Sequence, residues 1–287
     1  MRSWLFVPGD SERKLAKAFG AGADIVILDL EDSVAPDRKH AARALVREAL
    51  QDAPGPAAVR INPLSSADLA DDMAVVAGAP HSIVLPKSES GADVAALAHR
   101  LAVAEAEAGL PVGQTQIMAI ATETAAAMFN LGTYAGVSAR LCGLAWGMED
   151  LSSALGATRR RTEDGMLTSP FSLARSLCLM GAHAATVLPI DTVHTAVRDH
   201  DALTRECAEA AADGFLGKMA IHPAQVPIIN DAFTPTPAAL AAAQKIVDAF
   251  ADDPAAGVLS LDGEMVDRPH LALAERLLAR AANYRTP

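Results

Sequence analysis

The sequence predicts a (β/α)8 barrel of the TIM type, and three observations carry that prediction. Short β-rich runs alternate with longer helical patterns, eight times over. Runs such as Ile25-Val26-Ile27-Leu28 are apolar throughout, as parallel strands buried on both faces are. The first strand ends Val7-Pro8-Gly9-Asp10-Ser11, without the G-x-G-x-x-G turn of a dinucleotide-binding open sheet. An open, doubly wound sheet is therefore the second choice. A length of 287 residues suits one large barrel, since such barrels run to about 250 residues.

The strands read as 4–7, 25–29, 58–61, 83–86, 117–122, 140–146, 185–188 and 219–221. Each is followed by a stretch long enough for a helix. Ser11 is placed to N-cap the first helix, and Asp37 the helix over 38–50, because short polar side chains there accept from orphan backbone N–H groups. Pro223 fits the first turn of the last barrel helix, where its missing N–H costs nothing. The break Thr234-Pro235-Thr236-Pro237 ends the barrel. The division is thus a catalytic barrel over 1–235 and a C-terminal extension over 236–287. The extension holds a helix near 238–251, a small hairpin or extended arm over 257–267, and a final helix from about Pro269.

Composition removes several function classes. Half of the residues (51%) are hydrophobic, enough for a sizeable core. The net charge is −11 and no long Lys/Arg run occurs, so nucleic acid is not an expected partner. Without an 18-residue apolar run, a membrane partner is not expected either, and the chain reads as soluble. Cys142, Cys178 and Cys207 fit no metal spacing, and an odd count argues against a disulfide framework. Met1-Arg2-Ser3-Trp4 runs into an apolar strand with no signal-peptide pattern. A reducing cytoplasm is the expected compartment.

The functional signal is positional. Chemistry in this fold sits at the C-terminal ends of the strands. Those ends read Asp29-Leu30-Glu31-Asp32, Arg60-Ile61-Asn62, Pro86-Lys87-Ser88-Glu89, Thr122-Glu123-Thr124, Gly147-Met148-Glu149-Asp150 and His222-Pro223. Ionisable groups therefore converge on one rim. Glu123 and Asp150 are the metal candidates, and carboxylates without Cys or paired His favour a hard cation such as Mg²⁺. Equally, Glu123, Glu149 and Asp150 read as ordinary helix-start acids, and position does not choose between the two. Arg60 is suited to grip a carboxylate or a developing oxyanion, or to form a salt bridge with Asp29 or Glu31. The Asp29/Glu31/Asp32 group has three readings: orienting Arg60 and Lys87, holding metal-bound waters, or supplying a general base. Lys87 as a Schiff-base lysine is disfavoured beside so many carboxylates. His222 reads as structural rather than catalytic. Arg159-Arg160-Arg161 reads first as a solvated loop and second as a phosphate or interface loop. There is no G-x-S-x-G elbow.

These motifs also form a known set. Ser3-Trp4-Leu5-Phe6-Val7-Pro8-Gly9, Leu28-Asp29-Leu30-Glu31-Asp32-Ser33-Val34, Arg60-Ile61-Asn62 and Leu85-Pro86-Lys87 stand in order. Glu123-Thr124-Ala125, Gly147-Met148-Glu149-Asp150-Leu151 and the run Gly217-Lys218-Met219-Ala220-Ile221-His222-Pro223-Ala224-Gln225 follow. Over Ser3 to about Arg280 the chain resembles the citrate lyase beta subunit-like family of CoA-ester lyases, which includes malyl-CoA and citramalyl-CoA lyases and a malyl-CoA thioesterase.

The resemblance implies a barrel of the phosphoenolpyruvate/pyruvate type in a homotrimer or hexamer. It implies Mg²⁺ on Glu123 and Asp150, and a CoA-thioester and a small 2-oxo acid as ligands. Arg60, Glu31, Asp32 and Asp267 become the candidate catalytic residues. Asp29, Lys87, Gly147, Met148 and Glu149 join Arg60 around the substrate. Pro8, Gly9, Arg13 and Lys218 become the candidate CoA contacts. Residues 262–267 resemble the family's lid, with Asp267 acting in a neighbouring subunit's site. The implied reaction is a reversible Claisen-type carbon–carbon cleavage of a malyl-, citramalyl- or citryl-CoA-like substrate. A malyl-CoA-type thioesterase, a citryl-carrier-protein lyase subunit of a citrate lyase complex and a barrel scaffold without chemistry are the alternatives.

Overall fold

A computed structural model describes residues 1–282. Eight strands close into one parallel barrel in sequence order. They are β1 (Ser3–Pro8), β2 (Ile25–Asp29), β3 (Ala57–Arg60), β4 (Ser82–Leu85), β5 (Gln116–Ile120), β6 (Leu141–Ala145), β7 (Leu188–Asp191) and β8 (Gly217–Ala220). The helices are α1 (Glu12–Phe19), α2 (Lys39–Gln51), α3 (Leu69–Asp72), α4 (Gly91–Glu107), α5 (Met148–Leu155), α6 (Ser169–Ala185), α7 (His200–Asp213) and α8 (Val226–Phe233), followed by α9 (Pro237–Asp252) and α10 (Arg268–Ala282). No helix among the described residues is long and apolar enough to cross a membrane.

The side-chain period of two explains both the core and the site. Trp4, Ile25, Ile27, Ala58, Val84, Met118, Ile120, Ala145, Ile190 and Met219 fill the barrel interior. Side chains two residues apart share a face. Continuing the inward set toward the strand ends gives Phe6 and Pro8, Asp29, Arg60, Gly147, Thr192 and Ile221. These positions all line the cavity at the barrel mouth. The outward set packs under the helices. There Asp191 accepts from Trp146 Nε1 and Lys218 Nζ, both at 2.6 Å.

Several expectations shift. The seventh strand is Leu188–Asp191, not 185–188. Ala185 ends α6, and Thr186 closes it in the left-handed region at φ 58. Pro189 lies within this strand and pairs with Leu144 in the barrel ladder. After β5 no α-helix follows. The alanine run gives only 3-10 turns over Ala127–Phe129 and Leu131–Tyr134, because Asn130 and Gly132 interrupt it. Ser11 occupies the N-cap of α1 without a side-chain capping bond. Asp37 is not a cap: it lies inside the 3-10 turn Pro36–Arg38, and α2 starts at Lys39.

The chain divides into two compact units, Met1–Asn230 and Asp231–Pro287. Within the second, Thr236 caps α9 by accepting from Ala239 N at 3.1 Å, with Pro237 in the first turn. A hairpin follows, β9 (Val258–Leu261) antiparallel to β10 (Glu264–Asp267). Its turn residues Asp262 and Gly263 have φ of 53° and 87°, the paired positive φ that suits an Asp-Gly hairpin turn. Asp267 closes β10, and its Oδ1 accepts from His270 N at 3.4 Å at the start of α10.

Candidate active site

The cavity at the strand ends has a volume of about 360 Å³, within the range of small-molecule sites. Asp29 and Arg60 are cross-strand partners in the β2–β3 register, and this neighbour relation builds the first half of the site. Arg60 Nε and Nη2 donate to the two oxygens of Asp29, both at 2.7 Å. Nη1 lies 2.9 Å from Glu31 Oε2, and the guanidinium sits 4.7 Å over the Phe6 ring. Asp29 thus occupies two of the five guanidinium N–H groups, and Glu31 and Asp32 stand beside Nη1. Burial opposes Arg60's charge, but Asp29 and Glu31 outweigh it and hold the group firmly protonated. Burial likewise opposes ionisation of Asp29, and Arg60 holds its carboxyl below the usual range. For Glu31 burial wins, and its carboxyl is pushed upward.

The turn behind these residues is itself fixed. Lys39 Nζ donates to Leu30 O at 2.8 Å and Asn62 Oδ1 at 2.6 Å. Asn62 Nδ2 donates to Leu30 O and Asp72 Oδ2. Gly9 passes so close that a Cβ there would stand 2.6 Å from Asp29 O. Gly9 therefore supports the floor rather than facing the cavity.

The second half comes from β4, β5 and β6. Lys87 holds φ at +51°, a left-handed conformation that is costly for a lysine and typical of functional sites. It aims the Lys87 N–H at Glu123 Oε2, 2.5 Å away. Lys87 Nζ meets Glu31 Oε1 at 2.5 Å, Asp150 Oδ1 at 3.3 Å and Asp32 Oδ2 at 3.5 Å. Burial works against this ammonium, and Glu31, Glu123 and Asp150 together raise its pKa. A lysine held protonated is no Schiff-base nucleophile.

Glu123 is buried beside Asp150. Desolvation first, then repulsion from Asp150, pushes its carboxyl up to about 8. Two carboxyl groups at one cavity wall are donors of the kind a hard divalent cation takes. Among the described residues no group of three His, Cys, Asp or Glu forms a fuller metal cluster. Mg²⁺ in general keeps several waters and takes one or two carboxylates. Gly147 is required by packing: a Cβ there would stand 2.6 Å from Glu123 Cγ. Its N–H donates to Thr122 Oγ1 at 3.0 Å. Gly147→Ala is expected to displace Glu123 and weaken divalent-ion binding about tenfold or more, measured by calorimetry, with little loss of folding. A displacement on the ångström scale costs up to about 10² in rate.

Pro8, Asp32, Met148 and Glu149 also line the cavity. The basic loop is not simply solvated: Arg160 Nη1 meets Glu149 Oε2 at 2.5 Å, and Arg161 Nη2 meets Glu206 Oε1 at 2.7 Å. Arg13 is exposed on α1. His222 Nδ1 accepts from Ala224 N at 3.2 Å, a capping role. Lys218 requires a correction. Its neighbour Met219 faces the interior, so Lys218 faces outward, 1% exposed and paired with Asp191 and Glu206. A buried, paired ammonium outside the cavity is a packing element, and this placement does not support a CoA contact. Period two carries that information in the sequence. The same period finds Phe6, Thr192, Met219 and Ile221, which reading only for ionisable groups missed. Asp267 belongs to the second unit.

Residues 2–223 match the family model described as HpcH/HpaI aldolase/citrate lyase. The chain belongs to that family. It is 38% identical over 279 residues to a citrate lyase subunit beta-like protein of Mycobacterium tuberculosis, covering 97% of this chain and 94% of the relative. It is 36% identical over 286 residues to a (3S)-malyl-CoA thioesterase of Cereibacter sphaeroides, covering 98% and 94%. The solved structure of CitE from M. tuberculosis, in complex with magnesium, acetoacetate and coenzyme A, superposes with a TM-score of 0.79. It is 36% identical, and 98% of each chain is covered. Membership places the chain among citrate lyase beta-like CoA-ester lyases and agrees with the closed barrel.

Proposed function

We propose that the protein is a Mg²⁺-dependent lyase that cleaves, and in reverse condenses, a small hydroxyacyl-CoA to an acyl-CoA and a 2-oxo acid. The observation that carries this reading is one cavity lined by the Arg60 guanidinium and by the carboxyl groups of Glu123 and Asp150. Magnesium and coenzyme A in the solved relative support it. Glu123 and Asp150 would hold the ion. When bound, it supplies Lewis-acid polarisation and an anchor for the hydroxyl and carboxylate oxygens.

The chain's own residues do the rest. Arg60 donates to the substrate oxygen that gains negative charge, a group aimed where charge develops. Asp29 and Glu31 fix its orientation, and Lys87 ties Glu31 to the wall of Glu123 and Asp150. Glu31 has both oxygens in contact with Lys87 and Arg60. Asp32 is held only at 3.5 and 3.9 Å and is the freer base. In cleavage, Asp32 takes the hydroxyl proton and the carbon–carbon bond breaks. Its electron pair passes into the thioester enolate, and Asp267, entering from a neighbouring subunit of a homotrimer or hexamer, protonates that carbon. Pro8 and the exposed Arg13 lie on the side of β1 and α1, where the CoA moiety would rest.

Purified protein with Mg²⁺ should be given malyl-CoA, citramalyl-CoA and citryl-CoA, following acyl-CoA, free CoA and oxo acid separately. Acyl-CoA plus oxo acid is the expected result. Asp267→Asn should lower turnover about 10² or more while Mg²⁺ and oxo-acid binding persist. Absence of turnover with every thioester, in folded metal-binding protein, would sink the reading. A second reading, thioester hydrolysis in the same site, is favoured by the C. sphaeroides relative, and free CoA with intact hydroxy acid would establish it. The three cysteines are free, which supports a reducing, cytoplasmic setting.

A further inference from the structure

We propose that His270 is a positioning residue for Asp267, turning the carboxyl group so that one oxygen stays available to substrate. The proposal rests on the reading of Asp267 as the acid/base. His270 Nδ1 lies 2.5 Å from Asp267 Oδ1. Nδ1 also stands 3.3 Å from the Asp267 backbone N–H, from which it accepts in the tautomer protonated on Nε2. In the tautomer protonated on Nδ1 the ring donates to Oδ1 and leaves Oδ2 to receive the substrate proton. A base whose orientation is fixed by a third group is a recurring arrangement in proton-transfer sites.

The surroundings single His270 out. Its neighbouring strand β9 offers only Val258, Leu259, Ser260 and Leu261, none of them ionisable. Arg268 turns away, donating to Pro254 O and stacking 5.0 Å over the Phe250 ring. Glu264 stands at the far end of β10, and Lys245 pairs with Asp262 at 3.0 Å. The hydrogen bond from His270 keeps the Asp267 carboxyl below the usual range. His270 is also half-exposed, at 49% for the side chain.

The competing account is local. Asp267 precedes α10, and His270 stands three residues on, the spacing of a capping box. Gln serves that box equally well but cannot titrate or pass a proton. His270→Gln therefore separates the two roles, and His270→Ala removes both. The reporter is solvent deuterium exchange into the methyl group of acetyl-CoA, with Mg²⁺ and an oxo acid present. Full-length His270→Gln should keep the wild-type melting temperature, the oxo-acid affinity and KM for the thioester. Its exchange rate and kcat should fall about tenfold or more. His270→Ala should regain exchange when free imidazole is added, in proportion to its concentration. Wild-type exchange in His270→Gln, beside an Asp267→Asn control that has lost exchange, overturns the positioning role and leaves the capping box. An Asp267→Asn control that exchanges normally removes Asp267 itself from the chemistry, and this proposal with it.

Discussion

Glu123→Gln is expected to abolish tight Mg²⁺ binding and to lower turnover by about 10³ or more. The loss of Lewis-acid stabilisation is worth several kcal/mol, and each 1.36 kcal/mol is a factor of ten. Asp150→Asn should behave alike. Folding should not suffer, and the sign of the pH dependence says why. The Glu123 carboxyl is raised to about 8 by burial and by Asp150, above its unfolded value near 4.5. The folded state therefore holds a proton that the unfolded chain has lost. In metal-free wild-type protein this group lowers stability as pH rises from about 4.5 to about 8. Glutamine removes that dependence, so metal-free Glu123→Gln should melt no lower than wild type at pH 8. Mg²⁺ must displace the proton. Titration calorimetry below pH 8 in two buffers of different ionisation enthalpy should show proton release with wild type and none with the variant. A wild-type heat independent of buffer, or Mg²⁺ raising the melting temperature of both proteins equally, would place the ion elsewhere.

Much of this site was legible because strand parity and strand ends are both visible in a sequence. Ile25-Val26-Ile27-Leu28-Asp29 announces a doubly buried strand with an acid at its mouth, and Asp29 and Arg60 meet there as register partners. What failed were features set by local backbone geometry. No composition rule says that Lys87 takes a left-handed conformation, yet that turn hands its N–H to Glu123. The seventh strand lies three residues beyond the expected 185–188, and it includes Pro189, which propensity penalises in a strand but which stands opposite Leu144 in the barrel ladder. Lys218 is a CoA contact by the family resemblance, which takes no account of its strand parity. The helix shell hides its ammonium against Asp191, where a buried ion pair fixes the packing of neighbouring elements. Gly147 was read as a substrate contact, and its physical necessity is the space that Glu123 occupies. Such demands come from tertiary approach and leave no trace in local pattern.

Arg60→Lys carries the other large effect, and it tests geometry rather than charge. A lysine keeps the positive charge but presents three donors from one point, whereas the guanidinium meets Asp29 in a planar fork. The variant cannot satisfy both Asp29 oxygens, contact Glu31 and still face the cavity. Turnover should fall by about 10²–10³, the cost of removing a donor aimed at a developing oxyanion. Oxo-acid affinity should weaken less, because the ground state carries less charge on that oxygen. Arg60→Met goes further. It leaves Asp29, 1% exposed, without its cation and Glu31 with Lys87 alone, and stranding one side of a buried ion pair costs about 3–5 kcal/mol. The methionine variant should therefore melt markedly lower, most of all above the ordinary carboxylate range, where Asp29 must stay ionised in a buried site. Asp29→Asn gives the intermediate case: Arg60 stays charged but loses its bidentate partner, so kcat should drop while the fold persists. If Arg60→Lys kept wild-type kcat, the guanidinium would be a strut between strands, and the stabilising group for the oxyanion would have to be found elsewhere on the rim.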